Sequence, residues 1–397
     1  MADSHGVNDY GDLASRPDMA AVIVGYARSP FTPAHKGALS STRPEDFCAP
    51  VVRELLSRCS LMGDDVEDLL LGCAYPEGEQ GLNLGRIVTY LSGLPVTVPG
   101  ATINRLCGSS MQTIHTAAGA IMLGAGECYL CGGVETMSRV QRGGFNRSPH
   151  PKMHEEYPEA YIAMGLTAEN LARQYDISRI RQEEFALASH QNAAQARDTG
   201  AFDDEIVAIE TESGEISTDG CIRADTNLEK MAGLKPAFTE DGVVTAATSS
   251  PLTDGAAFVV VTSEEFAQKR NLTPLARIVS TAVAGVPPEI MGIGPVPATR
   301  KALERAGLTM EDIDVIELNE AFSSQAIAVI DELGFDQNLL NLDGGAIAIG
   351  HPLGASGARI TGKAASILNR EAGRYALATM CIGGGMGIAT VLSSIDS

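Results

Sequence analysis

Short apolar runs alternate with amphipathic stretches along most of the chain, and each run is about as long as one buried strand. Ala21-Val22-Ile23-Val24-Gly25-Tyr26 is the first such run. Glu45 to Cys59 follows, with Phe47, Val51, Leu55 and Leu56 on one side of a helix. Asp65 to Gly72 reads as a second strand. Beyond it, Met111, Ile114, Ala118, Ile121 and Met122 recur at helical spacing until Gly124 and Gly126 stop them. Glu127 to Gly133 then returns to strand.

The C-terminal third repeats this order. A helix over Thr299 to Gly307 leads into a strand ending at Asn319, a Gly-rich turn and helix run from Gly344 to Leu368, and a last strand ends in Thr379-Met380-Cys381-Ile382-Gly383-Gly384-Gly385. Leu308 to Asn319 superposes without a gap on Leu61 to Gly72, which predicts an internally duplicated α/β protein. Between the halves the texture changes. Arg139 to Pro158 reads as loop, Thr167 to Tyr175 and Gln182 to Arg197 as polar helices, and Ala256 to Thr262 as buried strand again. The expected organisation is a flexible tail over 1–19, an N-terminal half over 20–137 plus 246–272, an inserted loop domain over 138–245 and a C-terminal half over 273–397.

The 397 residues are 44% hydrophobic, enough for a large core, and 50 acidic against 29 basic residues give a net charge of −21. That field disfavours nucleic acid and anionic membranes, so any anionic ligand needs local cations. Eight scattered cysteines form no small-domain disulfide framework and fit a reducing cytoplasm. Met1 to Asp18 lacks a basic, apolar leader pattern, no run approaches a membrane span, and the last four residues match no targeting address.

Three stretches carry candidate chemistry. Cys107, in Asn104-Arg105-Leu106-Cys107-Gly108-Ser109-Ser110, sits where extended chain turns into a helix. Unpaired N–H groups there favour thiolate and could hold an oxyanion. His351 stands at a glycine-lined turn before a helix and is a candidate base for that thiol. Cys381 ends a strand and enters Gly383-Gly384-Gly385, whose bare N–H groups suit an anion pocket. Asn319 closes another strand, where α/β proteins place ligands. Gly357 to Lys363 mimics a phosphate-binding loop, but Ala364 stands where Ser or Thr should hold magnesium, and its glycines fall inside a helix. Cys128 and Cys131 have no second ligand pair for zinc. Arg139 to Arg147 is either solvated surface or a contact for phosphates.

Taken together, these stretches closely resemble the thiolases, acyl-CoA acyltransferases that split or join 3-ketoacyl-CoA. Gly132-Gly133-Val134-Glu135-Thr136-Met137-Ser138, Asn319-Glu320-Ala321-Phe322 and Gly350-His351-Pro352 add to the likeness, which covers about residues 20 to 393. The resemblance implies a thiolase fold, a duplicated five-layered αβαβα core with an inserted loop domain. It implies Cys107 as nucleophile, His351 as its base and Cys381 as the acid/base at the α-carbon. Asn319 would support an enolate oxygen through water, and Gly383 and Cys107 N–H groups a second oxyanion hole. Arg223, Ser250, Met164, Ala321 and Phe322 fall where the family contacts coenzyme A. Coenzyme A would be a substrate, with no metal or redox cofactor. Ser110, Pro251 and the short loop before Met164 resemble degradative fatty-acid thiolases of β-oxidation, while Ala348-Ile349-Gly350 looks biosynthetic. The implied partners are acyl-CoA substrates, a second copy in a homodimer or dimer of dimers, and a hydratase/dehydrogenase subunit. An acetoacetyl-CoA-forming acetyltransferase is the alternative, and a non-catalytic lipid-binding relative a remote one, since all three reactive residues are present.

Overall fold

The computed structural model describes residues 20–395; the expected N-terminal tail lies outside them. The N-terminal half supplies β1 (Ala21–Arg28), the short β2 (Thr32–Pro33), β3 (Asp68–Gly72), β4 (Gly100–Ile103) and β5 (Cys128–Thr136), with α1 (Pro44–Arg58), α2 (Leu84–Leu91) and α3 (Ser109–Met122). The excursion after β5 carries α4 (Pro151–Glu156), α5 (Met164–Gln174), α6 (Arg179–Asp198), the hairpin β6 (Ile209–Thr211) and β7 (Gly214–Ile216), and α7 (Leu228–Ala232). The chain then returns through β8 (Thr253–Ser263) and α8 (Glu264–Lys269). The C-terminal half comprises β9 (Ala276–Gly285), α9 (Pro295–Ala306), β10 (Val315–Leu318), α10 (Ser323–Leu333), α11 (Ala346–Ile349), α12 (Leu353–Arg370), β11 (Tyr375–Ile382) and β12 (Met386–Ser393).

Pairing senses make the duplication explicit. The order β4-β3-β5-β8-β1 is parallel, parallel, antiparallel, antiparallel. Leu340, β10, β11, β12 and β9 repeat those four senses, with Leu340 bridging Ile316. The two wings join at β1 and β9 through the pairs Val22 with Arg277 and Ile23 with Ala276.

Strand alternation sorts the core into three apolar layers. Ala256, Phe258 and Val260 of β8 face α1, whereas Ala257, Val259 and Val261 face the central helices. In β11, Ala376, Ala378, Met380 and Ile382 face the centre, and Leu377 packs outward with Val296 and Ala302 of α9. The central helix α12 packs on strands of both wings and on α3. The layers are therefore helices, sheet, α3 with α12, sheet, helices: a five-layered αβαβα core.

Three element expectations need adjustment. The second strand begins at Asp68, because Gly63–Asp65 forms a 3₁₀ turn closed by the Asp65 carboxylate on Met62 N–H. The repeat helix begins earlier, at Pro295, where a proline at the first turn loses no bond. The stretch read as loop contains α4, started by Pro151 and capped by His150.

Candidate active site

Sequence places Cys107 between an edge strand and a helix, and the local polar groups fix the turn. Asn104 Oδ1 accepts from Leu106 N–H at 2.8 Å while its amide donates to Ala74 O at 3.1 Å. Ser109 Oγ accepts from Arg105 N–H at 2.9 Å and donates to Leu106 O. Leu106 is held left-handed at φ 45°, a conformation that costs a γ-branched residue energy and persists only where the surroundings enforce it. Gly108 matters for close approach: a Cβ there would meet Ile382 Cδ1 at 2.5 Å. Its absence lets the end of β11, with Cys381 and Gly383, come beside Cys107.

Burial pushes the Cys107 thiol up to about 11, against the pull of the Gly383 and Cys107 N–H groups and of Arg142. This corrects the expectation of a ready thiolate. Helix α3 starts two residues later, at Ser109. A helix terminus contributes about 0.3–1 kcal/mol, under one pKa unit, whereas burial shifts a thiol by several. Burial and the nearby Cys107 also push Cys381 well up.

His351 lies in the turn between α11 and α12. Gly350 adopts φ 114°, and a Cβ there would lie 2.7 Å from Thr253. Thr253 Oγ1 accepts from His351 N–H at 3.0 Å, fixing the backbone. Ser356 Oγ donates to Pro352 O at 3.2 Å and so accepts from His351 Nδ1–H at 2.6 Å. The lone pair is then on Nε2, which faces the Asn319 amide at 3.4 Å. Burial, reinforced by the Arg359 charge, pulls His351 down to about 3, so the ring is neutral at pH 7. Asn319 is fixed by its N–H on Thr379 O at 3.0 Å, and its Oδ1 is buried with no partner among the described residues.

Cys107, His351, Cys381, Gly383, Met164, Ser250, Ala321 and Phe322 all line one cavity of about 1200 Å³. Asn319 is buried behind His351. Arg223 is exposed and not among the lining residues; its backbone N–H donates to His190 Nδ1 at 3.2 Å. Tyr75, unnoticed in the sequence, lines the cavity, and burial with the nearby Cys107 pushes its phenol up to about 12. Ser356 was also missed; it stands five residues after the histidine, inside α12, where no local sequence signal marks its role. The basic run divides in two: Arg139 is tied to Glu79, while Arg142 and Arg147 line the cavity with no carboxylate partner among the described residues. The phosphate-loop mimic lies inside α12, where Lys363 is engaged by Glu205 and Asp343 at 2.8 Å each. Cys128 and Cys131 lie in buried β5, and no group of ligating side chains suited to a metal occurs among the described residues.

A duplicated α/β core with two thiols and a neutral imidazole on one cavity has the make-up of an acyltransferase working through sulfur. The thiolase N-terminal domain matches residues 21–265 and the thiolase C-terminal domain residues 272–394. The chain therefore belongs to the thiolase family. It is 48% identical over 384 residues to the 3-ketoacyl-CoA thiolase of Bacillus subtilis (strain 168), covering 94% of this chain and 98% of that one. It is 45% identical to that of Saccharophagus degradans over the same shares. The crystal structure of the Bacillus anthracis acetyl-CoA acetyltransferase matches with a TM-score of 0.87 at 42% identity, covering 95% of this chain and 99% of that one.

Proposed function

We propose that this protein is a 3-ketoacyl-CoA thiolase of fatty-acid β-oxidation, splitting 3-ketoacyl-CoA with coenzyme A into acetyl-CoA and an acyl-CoA shortened by two carbons. The observation that carries the mechanism is the convergence of Cys107, His351 and Cys381 on one cavity. At rest both thiols and the imidazole are neutral. As Cys107 sulfur bonds to the 3-keto carbon, its proton passes to His351 Nε2, the nitrogen left free by Ser356. Cys107 and Gly383 N–H groups stand ready for the oxyanion. The bond to the α-carbon then breaks. Cys381 protonates that carbon, with Asn319 and His351 supporting the enolate oxygen. Acetyl-CoA leaves; coenzyme A then gives its thiol proton to the Cys381 thiolate and takes the acyl group from Cys107, whose sulfur regains its proton from His351 as the thioester bond to it breaks.

Met164, Ser250, Ala321 and Phe322 form walls suited to a pantetheine arm, and Arg142 and Arg147 suit its phosphates. Arg223 can meet coenzyme A only beyond the lining residues. Coenzyme A is a substrate, and the chemistry assigned to these residues calls for no cofactor. Free cysteines fit a reducing cytoplasm, and no helix among the described residues is long and apolar enough to cross a membrane. A homodimer is favoured by exposed Val96, just before edge strand β4, and exposed Leu123, just after α3; a dimer of dimers and a hydratase/dehydrogenase partner remain part of the proposal.

Acetoacetyl-CoA synthesis is the second reading, favoured by the likeness to the B. anthracis enzyme. Turnover across a chain-length series of 3-ketoacyl-CoA substrates separates the two: activity confined to acetoacetyl-CoA sinks the degradative reading. The mechanism is tested by intact-protein mass. Cys107→Ala should form no acyl-enzyme from acetyl-CoA. Cys381→Ala should still gain one acetyl group yet lose thiolysis about 10²–10⁴-fold. A Cys381→Ala enzyme that turns over normally removes Cys381 from its role.

A further inference from the structure

His351 and Asn319 come from different elements, α12's leading turn and the end of β10, yet must stay within 3.4 Å of one another. Glu317 precedes Asn319 by two residues and Arg359 follows His351 by eight. Both side chains are fully buried, and Arg359 Nη1 donates to Glu317 Oε2 at 3.0 Å. The pair thus ties β10, which Asn319 follows, to α12, which His351 precedes. It is a poor choice for stability alone. The contact is made through one hydrogen bond, and Glu317 Oε1 and Arg359 Nη2 are left without partners among the described residues. A buried pair this incompletely bonded is weak evidence for stabilisation.

We propose that Glu317 and Arg359 are positioning residues for the reaction: their buried pair holds the turn that carries His351 against the end of β10 and so sets the His351–Asn319 distance. The inference rests on the thiolase reading for the role of His351. Around His351 stand Cys107 and Cys381 on the shared cavity, Cys221 against the adjoining Gly350, and Arg359, whose charge reaches the ring. Around Glu317 the ionisable neighbours are Arg359, Lys363, Asp343 and Glu320, with Tyr26 from β1. The Arg359 charge acts with burial to disfavour imidazolium. Glu317 is itself pushed up to about 7, mainly by burial, so it neutralises Arg359 incompletely near neutral pH.

The test is to titrate His351 in ¹⁵N-histidine-labelled full-length protein, its signal assigned by loss in His351→Asn, and to measure thiolysis beside it. Arg359→Met removes the cation and should raise the His351 pKa by about one unit or more, toward the ordinary imidazole value. Glu317→Gln leaves the cation less balanced and should not raise it. Arg359→Met/Glu317→Gln removes both charges of the pair, so it leaves neither stranded as the single Arg359 variant does, and should resemble Arg359→Met. Both single variants should lose turnover without a matching rise in the Michaelis constant for coenzyme A. An equal His351 pKa in wild type and all variants overturns the proposal, as does a rise in Glu317→Gln. If the pKa values move as expected but wild type forms no acyl group on Cys107, the role of the pair stands and the thiolase reading falls.

Discussion

At the scale of single residues, the reactive thiol is governed more by burial than by its place before a helix. Two opposed effects act on Cys107. Burial holds it up at about 11 while the N–H groups of Gly383 and Cys107 pull it down. Because that value lies above the working range, the thiolate fraction should climb steadily with pH. We predict that iodoacetamide labelling of Cys107 in the free enzyme rises about tenfold per pH unit from 7 to 10. Cys59 should react next, since burial holds it also at about 11 and it is partly exposed. Site-resolved mass spectrometry reads both rates; a plateau at or below pH 8.5 would show a thiol far more acidic than its setting allows. Sequence displayed the identity of Cys107, His351 and Cys381 because glycines and strand ends flank them. It hid the protonation states, which depend on tertiary burial. Ser356, which selects the histidine tautomer, was hidden too: a serine within a helix has no local signature for that task.

At the scale of elements, the apolar periods that announced α1, α3, β5 and β8 are those that face two layers at once or one core stripe. What they could not announce was contact between elements. The two central helices meet through Gly357, where a Cβ would sit 2.4 Å from Met111 N, and Ala358 N–H donates to Ser110 Oγ at 2.8 Å. Gly357→Ala should therefore cost about 1–3 kcal/mol through overpacking, since backbone cannot move aside. Gly119, also in a central helix, has nothing within 4 Å of its Cβ position. Gly119→Ala should stabilise by about 0.4–1 kcal/mol by restricting the unfolded chain. Denaturant midpoints of the two variants check the contrast: equal shifts would mean that α3 and α12 do not pack as closely as described. Helix α4 escaped sequence reasoning because it is short and polar, with no residue buried, so only its proline and His150 cap marked it.

At the scale of the whole molecule, a net charge of −21 must admit a polyanionic substrate. Long-range repulsion slows encounter at low salt, and short-range cations at the cavity must reverse it. Arg223 is the one cation among the coenzyme A contacts that the family resemblance implies, but it lies outside the lining residues, whereas Arg142 and Arg147 line the cavity without carboxylate partners among those described. Removing both should raise the Michaelis constant for coenzyme A about tenfold, as two charge-assisted contacts at an exposed rim would. Turnover should change little, because contacts remote from the reacting carbon bind ground and transition states alike. Arg223→Ala should have the smaller effect. Salt gives the sign. In wild type the local attraction dominates, so raising ionic strength screens it and the Michaelis constant rises. In Arg142→Ala/Arg147→Ala the global repulsion is what remains, so the same salt should lower the constant. Steady-state kinetics at about 0.02 and 0.2 M salt, a range over which the screening length falls roughly threefold, read both signs. If salt raises the constant equally in both proteins, the phosphates are held by other cations, and the rim at 142 and 147 has no part in admitting them.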